Sequence, residues 1–156
     1  MRILLKLVLD CTPDAAWKAI RSPEVFRAVS APLLRFSSLE PDGFPDSWPA
    51  GEHPVSVSML GIVSAGEQII NISFPESGAG VRTVRDTGGA VSGPLTTITR
   101  WDHTMAVSAD RGGRTLYRDQ LVIEAGVLTP LLWIGFWAFW QWRAFGLRRF
   151  APTWRA

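Results

Sequence analysis

The chain has 156 residues, 47% of them hydrophobic, and its 16 basic and 14 acidic residues leave a formal charge of +2. That length buries one core, and no composition shift divides it, so residues 1–156 read as a single domain. So small a charge excess excludes an electrostatic nucleic-acid footprint, and Cys11, the single cysteine, excludes an intramolecular disulfide and points to a reducing, cytoplasmic setting.

In chain order, residues 1–9 alternate, with Ile3, Leu5, Leu7 and Leu9 opposed to Arg2, Leu4, Lys6 and Val8, which predicts a strand with one better-buried face. Arg2, Lys6 and Asp10 interrupt the stretch before it reaches the length of a secretory h-region. Thr12-Pro13-Asp14 is then a helix start, a capping hydroxyl followed by proline and an acid in the first turn, with Ala16, Trp17 and Ile20 as its buried stripe. Ser22-Pro23-Glu24 repeats the signal for a second short helix carrying Val25, Phe26 and Val29, and Pro32 ends it.

From Leu33 onward, short β-rich stretches are separated by Gly, Pro, Asp and Ser clusters. The predicted strands are 33–39, 54–60, 67–74, 81–87, 95–108 and 114–124. Residues 40–53 hold three prolines and two glycines and read as a long loop over a cavity mouth, with Phe44 and Trp48 available to pin it down. Thr129 and Pro130 start a helix predicted to run to about Ala151. Leu128, Leu131, Leu132, Gly135, Ala138, Phe139, Trp142 and Phe145 fall on one face of it; Trp133, Phe136, Trp137, Trp140 and Leu147 take the flanks and the opposite face. The uncharged run from Ala125 to Trp142 is 18 residues, the lower limit for a bilayer span, but Pro130 and two glycines interrupt it. Arg143, Arg148, Arg149 and Arg155 read as cations complementing a helix C-terminus.

The turn at Asp110-Arg111-Gly112-Gly113 closes a hairpin. Centred on Arg111, it sets His103 opposite Asp119, Met105 opposite Tyr117 and Trp101 opposite Leu121, all on one face. That face also carries Val107 and Ile123 and is therefore the inward one, which brings two titratable groups inside. A buried His–Asp pair either acts as a general base with its orienting carboxylate or hydrogen-bonds itself and stiffens the hairpin. No activated Ser or Cys accompanies it. With two histidines, and His53 in the predicted loop without a ligand at useful spacing, no metal site is expected. The glycine turns near 78–80 and 88–93 lack phosphate-binding context, and no cofactor is expected. Arg82, Arg85 and Arg100 lie on strands, either facing the cavity or on the exposed side.

The stretches ThrProAspAlaAlaTrp and SerProGluValPhe within 11–30, TrpAspHis at 101–103, ThrLeuTyrArgAspGln at 115–120 and the strand ending before the long helix together resemble the START-related helix-grip superfamily, in particular its SRPBCC, polyketide-cyclase-like members, across nearly the whole chain. The resemblance implies an α+β fold in which a curved antiparallel sheet of six to seven strands wraps the C-terminal helix. It implies a cavity between them that takes a small hydrophobic molecule, a lipid, isoprenoid or polyketide-like aromatic. His103, Tyr117 and Asp119 would be its polar contacts and Trp101, Met105, Leu132, Phe136 and Phe139 its apolar walls. The alternative in the same family is a cyclase or dehydratase using His103 and Asp119. A third expectation comes from the helix itself: Trp133, Trp137 and Trp140 share a flank that Leu147 continues, which favours a homodimer contact, with a membrane surface met through Arg143, Arg148 and Arg149 as runner-up.

Overall fold

Period-two burial runs through the long strands: Thr115, Tyr117, Asp119, Leu121 and Ile123 are buried while Arg118 and Glu124 face solvent. The computed structural model describes residues 1–155. Strands β1 (Arg2–Leu9), β2 (Leu34–Ser38), β3 (Gly51–Met59), β4 (Val63–Ser73), β5 (Val81–Asp86), β6 (Gly89–Ala90), β7 (Arg100–Ala109) and β8 (Thr115–Glu124) form one curved antiparallel sheet. Its order is β1-β8-β7-β5-β4-β3-β2, with β6 added to β4. Helices α1 (Pro13–Ile20) and α2 (Pro23–Ser30) follow β1, and α3 (Thr129–Phe150) packs against β1, β8 and α2, which makes this a helix-grip arrangement.

The helix starts are where the capping residues put them. Thr12 Oγ1 accepts the Ala15 N–H at 3.3 Å and Ser22 Oγ the Val25 N–H at 3.4 Å, with Pro13 and Pro23 at the first helical positions. On α1, Ala15, Ala16, Ala19 and Ile20 are buried; Trp17 is half-buried instead, its ring edge-on to Phe74 at 5.8 Å with Arg21 and Arg82 over its faces. Gly146 of α3 lets that helix cross α2 closely, since a Cβ there would lie 3.3 Å from Cα of Val29.

Several boundaries differ from those the residues suggest. An eighth strand exists because Gly89 and Ala90 pair with Ile69 and Gln68. Pro94–Thr97 turn as a 3-10 segment, so β7 begins at Arg100. β3 begins at Gly51, which puts His53 inside a strand. The shortened loop before it is pinned rather than open: Trp48 is buried, its N–H donates to the Arg21 carbonyl at 2.7 Å, and its ring meets Phe44, Phe26 and His53. The β7–β8 turn is centred one residue later than Arg111, at Gly112, whose φ of 71° is a left-handed conformation that glycine adopts without strain. Every cross-strand partner therefore slides by two: His103 pairs with Leu121, Met105 with Asp119, Trp101 with Ile123. A slide of two preserves the face, so the inward set is unchanged.

The ladder narrows to two pairs between β4 and β5. β4 pairs with β5 only at Ile72–Asp86 and Ser73–Arg85; after Asp86 the chain leaves β7 and crosses to β4 as β6. Asp86 is buried at the fork and stitches it, its Oδ1 accepting the Asn71 and Gly88 N–H groups at 2.8 and 2.9 Å and its Oδ2 the Trp101 indole N–H at 3.1 Å. Gly88 is needed there because a Cβ would run into the carbonyl of Ile69. No described helix is long and apolar enough to cross a membrane.

This close approach makes a testable difference between two glycines. Gly88→Ala should destabilise the protein by about 1–3 kcal/mol in urea unfolding through overpacking at the fork. Gly78→Ala, at a position with nothing within 4 Å of the new methyl, should stay within about 0.5 kcal/mol.

A candidate binding cavity between sheet and helix

The inward face of β7 and β8, the inner side of α3 and the two short helices enclose a cavity of about 90 Å³. Most of its wall is apolar, including Val25 and Phe26 from α2, Phe36 from β2, Ile70 from β4 and Met105 from β7. The part of the wall beside the sheet fork is built by Gln68, Gly89, Ala90, Leu95, Ile98 and Trp101. His103, Tyr117, Trp140 and Arg143 give one region a polar character, and Gln68 and Asp86 are further polar members of the wall.

Behind these sits Asp119, 2% exposed. Its Oδ1 accepts His103 Nε2–H at 2.9 Å and Trp140 Nε1–H at 2.8 Å, and its Oδ2 accepts the Tyr117 hydroxyl at 2.6 Å. Burial pushes this carboxyl's pKa up, but the His103 imidazole, the Arg143 charge and the Tyr117 hydrogen bond outweigh it and bring the value from 3.8 down to about 2. Tyr117 moves the other way: burial first, then the Asp119 charge, hold its pKa well above 10.0, so the phenol stays a donor. An ionised carboxylate only accepts, which assigns the proton to Nε2 of His103 and leaves Nδ1 as the ring atom without a bond to any described residue.

Aromatic rings frame the imidazole. Trp140 lies edge-on to His103 at 5.2 Å, and Trp101, Phe136 and Phe139 meet Trp140 at 6.2, 6.2 and 5.7 Å in edge-to-face arrangements. Of the residues expected to contact a ligand, Trp101, His103, Met105, Tyr117, Phe136 and Phe139 line the cavity. Asp119 does not; it is screened by the donors it accepts from. Leu132 does not either; it packs with Ile3, Leu121, Ile123 and Trp140. His103 and Asp119 touch, as diagonal rather than directly opposed neighbours.

Two expectations are corrected here. Trp140 is 1% exposed and Leu147 3%, so the flank expected to carry Trp133, Trp137, Trp140 and Leu147 outward is largely turned inward; Trp133 is tied by its indole N–H to the Arg2 carbonyl at 3.0 Å. The outward apolar surface runs instead through Leu131, Ile134, Trp137 and Phe145, beside the exposed Arg148 and Arg149. Arg143 is not a solvated cation at a helix end but is 5% exposed, under the Trp140 ring at 4.9 Å. Asp86 and Arg143 went unnoticed as site residues because an acid after a strand and an arginine late in a helix both have commonplace surface roles. Arg82, Arg85 and Arg100 are tied to Asp14, Asp102 and Glu124 and take no part in the cavity. Cys11, whose pKa burial raises, shows no activation as a nucleophile, and among the described residues no three His, Cys, Asp or Glu side chains gather as a metal site.

A depressed carboxyl stabilises the fold above its unfolded pKa and loses that contribution as pH falls through the folded value. Asp119 should therefore contribute about 2 kcal/mol that disappears between roughly pH 4 and pH 2. Urea unfolding of the wild type and Asp119→Asn across that window checks it: the difference between the two should shrink as the pH drops, and a pH-independent difference would show that ionisation is not what the site stabilises.

No family model matches the chain, and no curated protein does. Solved structures do. A protein from Chromobacterium violaceum matches at 15% identity over 97% of this chain and 96% of its own, with a TM-score of 0.62. A hypothetical protein from Helicobacter pylori matches at 9% identity over 97% and 88%, with a TM-score of 0.71. A third, from Thermus thermophilus, gives 8% identity, 98% coverage of both chains and a TM-score of 0.62. At such identities the likeness is one of fold, an antiparallel sheet with a C-terminal helix.

Proposed function

We propose that this protein binds a small hydrophobic molecule, of the lipid, isoprenoid or polyketide-like aromatic class, between its sheet and α3, as a cytoplasmic member of the START-related SRPBCC group. The observation that carries the reading is the cavity itself: an apolar chamber with a few convergent polar groups at one part of its wall is the usual form of a small-molecule site. Apolar walls supply affinity without direction, and His103 with Tyr117 supplies orientation. The sheet fork at Asp86 supports an entry route, since the wall there includes Gly89, Ala90 and a 3-10 turn rather than a continuous ladder.

A second reading, a cyclase or dehydratase, is favoured by one feature. His103 is anchored through Nε2 to a carboxylate while Nδ1 has no protein partner, which is the arrangement of a base held in one tautomer. Unchanged turnover of a polyketide-like substrate by His103→Ala would remove this reading and leave the first intact.

The binding reading is tested with native mass spectrometry of the purified protein and titration with an apolar fluorophore. The wild type should carry a retained small molecule or bind the dye with a one-to-one stoichiometry. Val25→Phe, which fills the chamber from its α2 wall, should still unfold cooperatively but bind neither. Full binding by a folded Val25→Phe protein would overturn the assignment to this cavity.

A further inference from the structure

Arg143 makes no ion pair with any described residue, although its charge helps to hold Asp119 ionised. It is 5% exposed, its Nε is fully buried without an acceptor, and no carboxylate of the described residues lies within ion-pair distance of it. The nearby carboxylate, Asp119, takes its three donors from His103, Tyr117 and Trp140 and none from Arg143. The guanidinium is held in place by a different contact, with its Cζ over the Trp140 ring. A buried guanidinium N–H without an acceptor is unfavourable by itself, since a directed donor has been taken from solvent and not repaid. Arg143 lines the same chamber as His103 and Tyr117.

We infer that Arg143 is the head-group site of the cavity and that the ligand is a small amphiphilic monocarboxylic acid. This deepens the binding reading above and rests on it. A carboxylate fits the planar fork of a guanidinium through two parallel N–H···O bonds, which a neutral hydroxyl cannot reproduce. One permanent cation matches a monoanion; a phosphate dianion would call for more, and Arg143 is the one lysine or arginine among the residues that line the chamber. His103 Nδ1 and the Tyr117 ring flank the same region and complete the polar end. The tail would lie among Val25, Phe26, Phe36, Ile70 and Met105. A chamber of about 90 Å³ is smaller than the roughly 150 Å³ cavity that accepts a benzene ring, so the acid is a short-chain one.

The experiment is calorimetric titration of the full chain with butanoate and, separately, butanol, for the wild type, Arg143→Met and Arg143→Lys. The wild type should prefer butanoate by about tenfold or more, the worth of one charge-assisted interaction. Arg143→Met should lose that preference while keeping its butanol affinity within about twofold, because the apolar wall is untouched. Arg143→Lys, which keeps the charge but not the fork, should fall between them. Equal binding of acid and alcohol by the wild type, or an undiminished butanoate preference in folded Arg143→Met, overturns the carboxylate site and leaves the cavity reading standing. Binding of neither compound by folded wild type overturns both. If Arg143→Met does not fold, the wild-type preference and Arg143→Lys decide alone.

Discussion

A carboxylate cut off from water has to be met by donors on every side, and in this fold that requirement ties the helix to the sheet. Asp119 stands on β8, and its donors come from β7 through His103, from β8 through Tyr117 and from α3 through Trp140. Hydrophobic burial could not do the same. It is proportional to area and indifferent to direction, and α3 is apolar nearly all round, so burial alone does not choose which of its faces goes inward. Hydrogen bonds do choose, because they are directional. Three indole N–H groups fix the rotation of α3 about its axis: Trp133 on the Arg2 carbonyl, Trp140 on Asp119 and Trp142 on the Ala31 carbonyl. Gly146 then permits the close crossing with α2 that this rotation demands.

The same contrast separates what could be read from the residues and what could not. Strands were legible wherever one face is buried, since alternation then repeats every second residue, and β8 shows it over its whole length. Helix starts were legible because capping is local chemistry involving residues three apart. The inward face of the β7–β8 hairpin survived an error in the turn centre because that error displaced the partners by two, an even number. The facing of α3 had no such protection. Its sequence is compatible with several rotations, and the one adopted is set by partners far away in the chain, the Arg2 carbonyl among them. Trp140 was expected outward for that reason, and Arg143, one turn on, was read by its distance from the helix end rather than by the environment that turn enters.

β6 and the fork were invisible for a related reason. Two residues pairing as Gly89–Ala90 carry no periodic signal, and the role of Asp86 depends on Asn71, Gly88 and Trp101 coming together from three separate segments. Such a junction is long-range by construction. Its local trace in the sequence is an acid followed by two glycines, which is equally the signature of any turn.

Departures from ideal construction gather in one part of this molecule. The strand ladder opens between β4 and β7, the interior is incompletely filled next to that opening, and the cavity wall includes an arginine whose Nε meets no acceptor. Each is unfavourable taken alone: an interrupted ladder gives up backbone pairing, a void deprives its lining of dispersion contacts, and a buried cation lacks its solvation. Scattered through a protein, such defects are the ordinary residue of imperfect packing. Here three of them meet at one chamber, although Arg21 Nε outside it is likewise buried without an acceptor, while Asp86 and Asp119 are satisfied with directed bonds. That coincidence is what the proposed ligand would answer. Under that proposal the walls call for an apolar body and Arg143 for an acceptor.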